Sequence, residues 1–168
     1  MVKLKDLKRI NMLKNMPDHL LELLADEAML SIYGTQTRLF TVGEHVEYFY
    51  MINMGQVALK VSLNPDVDVI LDLFQAGRSF GSCSFLEDST ASYSAECEEP
   101  CEIITLEGAR LKELFQTNHE LAYHLKAGVA RQYRQTLDKR ANMIMKTLAL
   151  HPELRDGIKD IKTLTLVY

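Results

Sequence analysis

Between Thr35 and Leu106 the apolar residues stop recurring at helical spacing and gather into short runs rich in β-branched and aromatic side chains. The runs are Thr35–Phe40, Tyr48–Asn53, Gln56–Leu63, Val69–Phe74, Ser92–Cys97 and Cys101–Leu106. Val42-Gly43-Glu44-His45, Asn53-Met54-Gly55, Asn64-Pro65-Asp66, Gln75-Ala76-Gly77 and Glu98-Glu99-Pro100 interrupt them, and each break carries a residue that supplies a positive φ or fixes φ. Many short strands with such close turns predict a β-sandwich or a small barrel.

Helical periodicity flanks this region. Pro17 suits a first helical turn, and Leu20, Leu21, Leu24, Ala28 and Met29 then recur on one face, predicting an amphipathic helix over Pro17–Leu30. Ahead of it Lys3, Lys5, Lys8, Arg9 and Lys14 interleave with Leu4, Leu7, Ile10 and Leu13. That pattern suits a solvated helix packed on its own domain, or one laid on an anionic membrane surface or a partner. After Leu106, Leu111, Leu114 and Phe115 mark a short helix, and Asn118 caps a long one. Along the long helix Leu121, Leu125, Val129, Tyr133, Leu137, Ala141, Ile144 and Leu148 form one apolar stripe that runs to His151-Pro152. A helix of that length overruns a small barrel, so its far half is expected to pair with a second copy in a homodimer, through Tyr133, Leu137, Ala141, Ile144 and Leu148. The expected organisation is an N-terminal helical segment (1–33), a β-roll (34–117), the long helix (118–150) and a tail (151–168) with a turn of helix and a short strand, Thr163–Tyr168.

Composition narrows the function. With 168 residues, 47% of them hydrophobic and 25% charged, the chain suits one domain and can bury a core rather than stay disordered. Its 19 Lys and Arg against 23 Asp and Glu leave a net charge of -4, without the global positive field that drives non-specific nucleic-acid binding. Lys126, Arg131, Arg134, Lys139 and Arg140 form the best local candidate, but no aromatic stacking platform accompanies them and such a helix face is ordinarily just solvated. No apolar run reaches the roughly 18 residues of a membrane span, and the Lys-rich start lacks a signal peptide's apolar core, so a cytoplasmic location is expected. Cys83, Cys97 and Cys101 are an odd number without a Cys-x-x-Cys pair, which predicts buried thiols rather than a disulfide framework or a thiolate metal site.

The order helix, β-roll, short helix and long terminal helix resembles the cyclic-nucleotide-binding domain of the Crp/Fnr regulators, protein kinase A regulatory subunits and cyclic-nucleotide-gated channels. The likeness runs roughly from Met16 to Leu148. It rests on Phe40-Thr41-Val42-Gly43-Glu44, on Tyr50-Met51-Ile52-Asn53-Met54-Gly55-Gln56-Val57 and on Leu73-Phe74-Gln75-Ala76-Gly77-Arg78-Ser79-Phe80-Gly81. Gly43, Gly55, Gly77 and Gly81 stand where that family has turn glycines. The resemblance implies a mainly β fold with flanking helices, a double-stranded β-helix (jelly roll) of the cyclic-nucleotide-binding type with a long C-terminal helix. It also implies a non-catalytic regulatory or signalling role.

In that family the ligand sits on one cassette, where Phe-Gly-Glu opens a short helix and a later Arg clamps the cyclic phosphate. Helix N–H groups and the guanidinium neutralise the phosphate, while the Glu accepts from the ribose hydroxyl. Here the cassette reads Phe80-Gly81-Ser82-Cys83-Ser84-Phe85-Leu86-Glu87-Asp88-Ser89-Thr90-Ala91-Ser92-Tyr93-Ser94-Ala95. Ser82 stands at the Glu position, and Ala91, or Thr90 with a one-residue slip, stands at the Arg position counted back from Cys101. Glu87 and Asp88 would repel an anion. The resemblance therefore implies that cAMP and cGMP are not bound in the usual way. The pocket candidates are Phe80, Gly81, Ser82, Cys83, Ser84, Ser89, Thr90, Ala91 and Ser92, with Arg78 as a candidate replacement clamp. Such a pocket suits a neutral or weakly anionic ligand, or is an empty vestige.

Other chemistry has less support. A cupin-like metalloenzyme needs a His-x-His pair, a Glu and a distant third His, and this neighbourhood offers His45 and Glu47 alone. His19, His119, His124 and His151 fall on helices or their ends, where they are expected to face solvent. The sequence carries no Gly-x-Ser-x-Gly elbow and no P-loop, so no enzyme activity, metal or cofactor is expected. The residues beyond Leu150 are too few for the helix-turn-helix that follows the long helix in Crp/Fnr regulators, and no specific DNA partner is expected. The expected partners are a second copy and a protein; the alternatives are a sensor of another small ligand in the same pocket and the cupin-like enzyme.

Overall fold

The computed structural model describes residues 2–64, 67–86 and 89–153. Its elements are α1 (Leu4–Leu7), a 3-10 turn (Asn11–Leu13), α2 (Asp18–Glu27), β1 (Met29–Tyr33), β2 (Arg38–Phe40), β3 (Tyr48–Met54), β4 (Gln56–Asn64), β5 (Val67–Gln75), β6 (Ser79–Phe80), a second 3-10 turn (Ser82–Phe85), β7 (Ser94–Cys97), β8 (Cys101–Glu107), α3 (Gly108–Thr117) and α4 (His119–Leu150). Two 4-stranded sheets form, in the orders β1-β8-β3-β6 and β2-β7-β4-β5. Every pairing is antiparallel, giving the jelly roll that the resemblance implies. The chain falls into two compact units, the first ending at Val129 and the second beginning at Ala130.

In the first unit the central pair β3 and β8 is covered on both faces, which explains why Phe49-Tyr50-Met51-Ile52 reads as a continuous apolar run rather than an alternating one. Phe49 and Met51, with Ile104 and Leu106, face the helices. There they meet Leu7, Ile10 and Leu13 from the N-terminal segment, Leu20, Leu21 and Leu24 of α2, Leu111 and Phe115 of α3, and Leu121, Leu125 and Val129 of α4. The leucines between the N-terminal lysines therefore pack on their own domain. The alternate residues Tyr50 and Ile52, with Cys101 and Ile103, face the interior of the roll.

Several local expectations are corrected. The second helix stops at Glu27: Ala28 is extended at φ -83 and ψ 141, and Met29 and Leu30 open β1 instead of closing the helix. Pairing of Met29 with Thr105 and Leu30 with Ile104 on β8 outcompetes one more helical turn. Pro17 takes the cap position, just ahead of the first helical turn. The expected strand Thr35–Phe40 shortens to Arg38–Phe40, because the chain turns after Gly34 with Gln36 at φ 63. The Ser92–Cys97 run enters its sheet only at Ser94. At the start of α4 the expected cap is present, with Asn118 Oδ1 accepting from Leu121 N–H at 2.8 Å. The expected strand Thr163–Tyr168 lies outside the described residues.

In the second unit, the rest of α4 carries its apolar stripe in the open. Leu137 is 67% and Ile144 60% exposed, whereas Leu121 and Leu125, earlier on the same helix, are at 0%. Tyr133 and Ala141 are also exposed and Leu148 is half-buried.

Candidate functional site

The cassette candidates occupy the link between β6 and β7. Gly81 enters it at φ 73, and a Cβ there would lie 2.7 Å from the Tyr48 carbonyl oxygen, so both the turn and the close approach to β3 require glycine. The 3-10 turn buries Ser82 and Ser84 and leaves Cys83 half-buried. Farther on, Gly43 N–H donates to Ala91 O, Ala91 N–H to Glu44 O and Val46 N–H to Ser89 O, each at 2.8 Å. This ladder sets the end of the cassette against the β2–β3 loop. Ser89 Oγ and His45 Nδ1 add a contact of 2.7 Å beside it.

The ladder also turns Ala91 inward and leaves Thr90 and Ser92 exposed. Ala91 joins Phe40, Tyr50 and Phe80 in the roll interior. Those rings fill the space closely: Tyr50 stacks on Phe80 at 4.9 Å with planes 3° apart, and Phe40 lies 5.7 Å from Tyr50, 6.0 Å from Phe80 and 5.8 Å from Tyr93. Burial, and then the neighbouring phenols of Tyr33 and Tyr48, hold the Tyr50 hydroxyl well above its ordinary pKa, so it stays a neutral phenol. Deeper in the roll, burial and the adjacent Cys101 push the Cys97 thiol up to about 12. Such a thiol is inert, and Cys83, Cys97 and Cys101 are all free.

Arg78 is the cation nearest in sequence to the cassette glycine. Its guanidinium lies 4.3 Å over the Phe74 ring, and its Nε and Nη2 are buried without a hydrogen-bond partner among the described residues. The Arg78 carbonyl accepts from Ile52 N–H at 2.9 Å, whereas Gly81 abuts Tyr48. Arg78 lies three residues before Gly81, and the Phe74 ring under its guanidinium packs edge to face with Phe80 at 6.4 Å.

A separate cavity of about 330 Å³ is lined by His45, Val46, Glu47, Ser84, Glu107, Ala109 and Lys112. Of these, Ser84 alone belongs to the expected pocket, and His45 and Glu47 are the two residues the sequence offers toward a cupin-like metal site. Among the described residues no three His, Cys, Asp or Glu side chains gather as a metal site. Sequence reasoning also missed Phe40, Tyr50 and Tyr93 as fillers of the roll, since they belong to different strands and only the register brings them together. The basic residues Lys126, Arg131, Arg134, Lys139 and Arg140 all lie on α4, and no helix among the described residues is long and apolar enough to cross a membrane.

Residues 32–118 match the family model described as "Cyclic nucleotide-binding domain". This chain belongs to that family. The cyclic nucleotide-binding domain here is similar to the cAMP-activated global transcriptional regulator CRP of Pasteurella multocida, at 27% identity over 127 residues, covering 75% of this chain and 61% of the relative. The chain thus spans about six-tenths of the length of that regulator. Among solved structures, a cyclic nucleotide-binding domain from Methylobacillus flagellatus superposes with a TM-score of 0.69 at 17% identity, covering 81% of each chain. The c-di-GMP responsive global regulator CLP of Xanthomonas campestris superposes with a TM-score of 0.67 at 19% identity, covering 90% of this chain and 75% of that one. At such identities the structural likeness speaks for the fold alone.

Proposed function

We propose that this chain is a non-catalytic regulatory module of the cyclic nucleotide-binding family that does not take cAMP or cGMP through the family's usual contacts and works as a homodimer on a protein partner. The carrying observation is the packing of Ala91, at the expected phosphate-clamp position, among Phe40, Tyr50 and Phe80. Ser82, at the ribose-binding position, is a buried neutral hydroxyl. No cation at that place neutralises a cyclic phosphate and no carboxylate there receives a ribose hydroxyl. Hydrogen bonds to charged groups are worth roughly 1.5–3 kcal/mol each, so losing two weakens binding by about two orders of magnitude or more. Equilibrium dialysis of the chain with cAMP and cGMP tests this half of the reading.

A regulatory role is supported by the curated relative named as a cAMP-activated global transcriptional regulator. Self-association is supported by the exposed stripe of Tyr133, Leu137 and Ile144, with Ala141 and Leu148 completing the proposed seam. Apolar rows of this kind on a long helix are buried when two copies pair. Light scattering is expected to give a dimer mass that Leu137→Glu combined with Ile144→Glu reduces to the monomer; a dimer indifferent to both changes would misplace the seam. A second reading, a sensor of a different ligand in the roll, is favoured by Arg78, whose Nε and Nη2 lack partners among the described residues. Loss of binding in Arg78→Ala, for any ligand bound by the native chain, would establish that reading.

A further inference from the structure

We propose that the cavity at the start of α3 is a binding site for a small zwitterion of the amino-acid class, separate from the cyclic-nucleotide cassette. Its floor depends on Gly108. A Cβ at that residue would overlap the Ser84 carbonyl, so only glycine lets the 3-10 turn press against the first turn of α3. Gly108 N–H also donates to Glu47 O at 2.8 Å, which draws the β2–β3 loop to the same point. Three segments remote in sequence thereby meet around one opening.

The walls carry charges of both signs that do not meet one another. Glu47, Glu107 and Lys112 all line the cavity and are exposed to solvent, and among the described residues none of them forms a side-chain hydrogen bond or ion pair. Unpaired charges of opposite sign around one cavity leave room for a ligand that bridges them. The anion-binding half consists of the Lys112 ammonium, the Ser84 hydroxyl and the first turn of α3. Helical side chains lean toward the N-terminus, which brings Lys112 back over that turn. Glu107 stands at the N-cap without a capping hydrogen bond, and since Gly108 N–H is taken by Glu47 O, the first-turn amides left to a ligand begin at Ala109.

Ser84 supplies an independent sign of a missing partner. It is 4% exposed and part of the lining, and its Oγ makes no hydrogen bond among the described residues. Buried hydroxyls in native folds are normally satisfied. The cation-binding half is the carboxylate pair Glu47 and Glu107. A single anion would face those carboxylates and a single cation would face Lys112, whereas an ammonium carboxylate satisfies both ends. The volume of about 330 Å³ is room for on the order of ten waters, which suits an amino acid and is small for a nucleotide.

The test follows the backbone amide resonances of Ser84, Gly108 and Ala109 in the full chain while each standard L-amino acid is added singly, with acetate and methylammonium as one-charge controls. At least one amino acid is expected to shift these amides saturably, and neither control is. Lys112→Met and Glu47→Gln are each expected to weaken that binding about tenfold or more. Ser84→Ala is expected to weaken it while leaving the thermal midpoint unchanged or raised, because the hydroxyl it removes has no partner in the fold. Arg78→Ala is expected to leave it alone. The proposal is overturned if no amino acid shifts these amides, if acetate or methylammonium does so as strongly, or if binding survives both charge removals undiminished.

Discussion

The two faces of the β3–β8 pair are built from adjacent residues and put to different uses. On the helix side Phe49, Met51, Ile104 and Leu106 meet leucines from α2, α3 and α4, with Phe49, Phe85 and Phe115 packed edge to face. On the roll side the same strands present Tyr50, Ile52, Cys101 and Ile103 to a lining of rings, a second thiol and Ala91. The helix face is a structural core. The roll face is where the family resemblance places a charged ligand, and here Phe40, Tyr50, Phe80 and Ala91 are buried on it. The turn glycines and the helix-side core include neither Ser82 nor Ala91, so the architecture does not depend on the residues at those two positions.

That contrast can be broken by mutation. Phe49→Ala removes a fully buried ring from the helix side and is expected to cost about 3–5 kcal/mol in denaturant unfolding; a cost below about 1 kcal/mol would deny that face its role. Next in size, Ala91→Arg puts the family's clamp back among Phe40, Tyr50 and Phe80. Overpacking alone costs about 1–3 kcal/mol, and the unpaired charge adds to it. This variant is expected to lose stability and gain no cAMP affinity, even combined with Ser82→Glu. Full stability with micromolar binding would show that the roll still has room.

The smallest effect concerns the outer side of the second sheet. Glu96 accepts from Lys60 at 2.8 Å and from Arg38 at 3.1 Å. Those bonds, the Lys60 bond foremost, hold its carboxyl below its ordinary 4.5. Lys60 is raised above its ordinary 10.5, chiefly by its bonds to Glu96 and then Glu98. The depressed carboxyl stabilises the fold above its unfolded pKa, and that contribution is lost as pH falls through the folded one. The raised ammonium contributes below its unfolded pKa and loses this as pH rises through its folded one. Glu96→Gln is expected to cost about 1 kcal/mol or less at neutral pH and to flatten the acid limb of a stability-against-pH curve; an unchanged acid limb would contradict the pairing.

Much of the roll was legible because its punctuation is chemical. Gly43, Gly55, Gly77 and Gly81 all adopt positive φ, and each had marked a turn in the sequence. The long helix was legible from its stripe and its Asn118 cap. What escaped were elements whose identity is decided by a partner: Met29 and Leu30 fit a helix until β8 offers them an edge, and β6 is two residues long, too short to show a period. At the candidate site, Ser82 and Ala91 are readable by position, and the inward turn of Ala91 rather than Thr90 needs the ladder to the β2–β3 loop. The aromatic filling and the α3 cavity were not readable, since Phe40, Tyr50, Phe80 and Tyr93, like Glu47, Ser84 and Lys112, come together only through strand register.

The central claim is that the roll holds no functional cyclic-mononucleotide site. Isothermal titration calorimetry of the chain with cAMP and with cGMP measures it most directly. The account predicts no saturable heat at micromolar nucleotide, in the native chain and in Arg78→Ala alike. A micromolar dissociation constant for either nucleotide in the native chain would contradict it, and the loss of that binding in Arg78→Ala would place the phosphate clamp at Arg78.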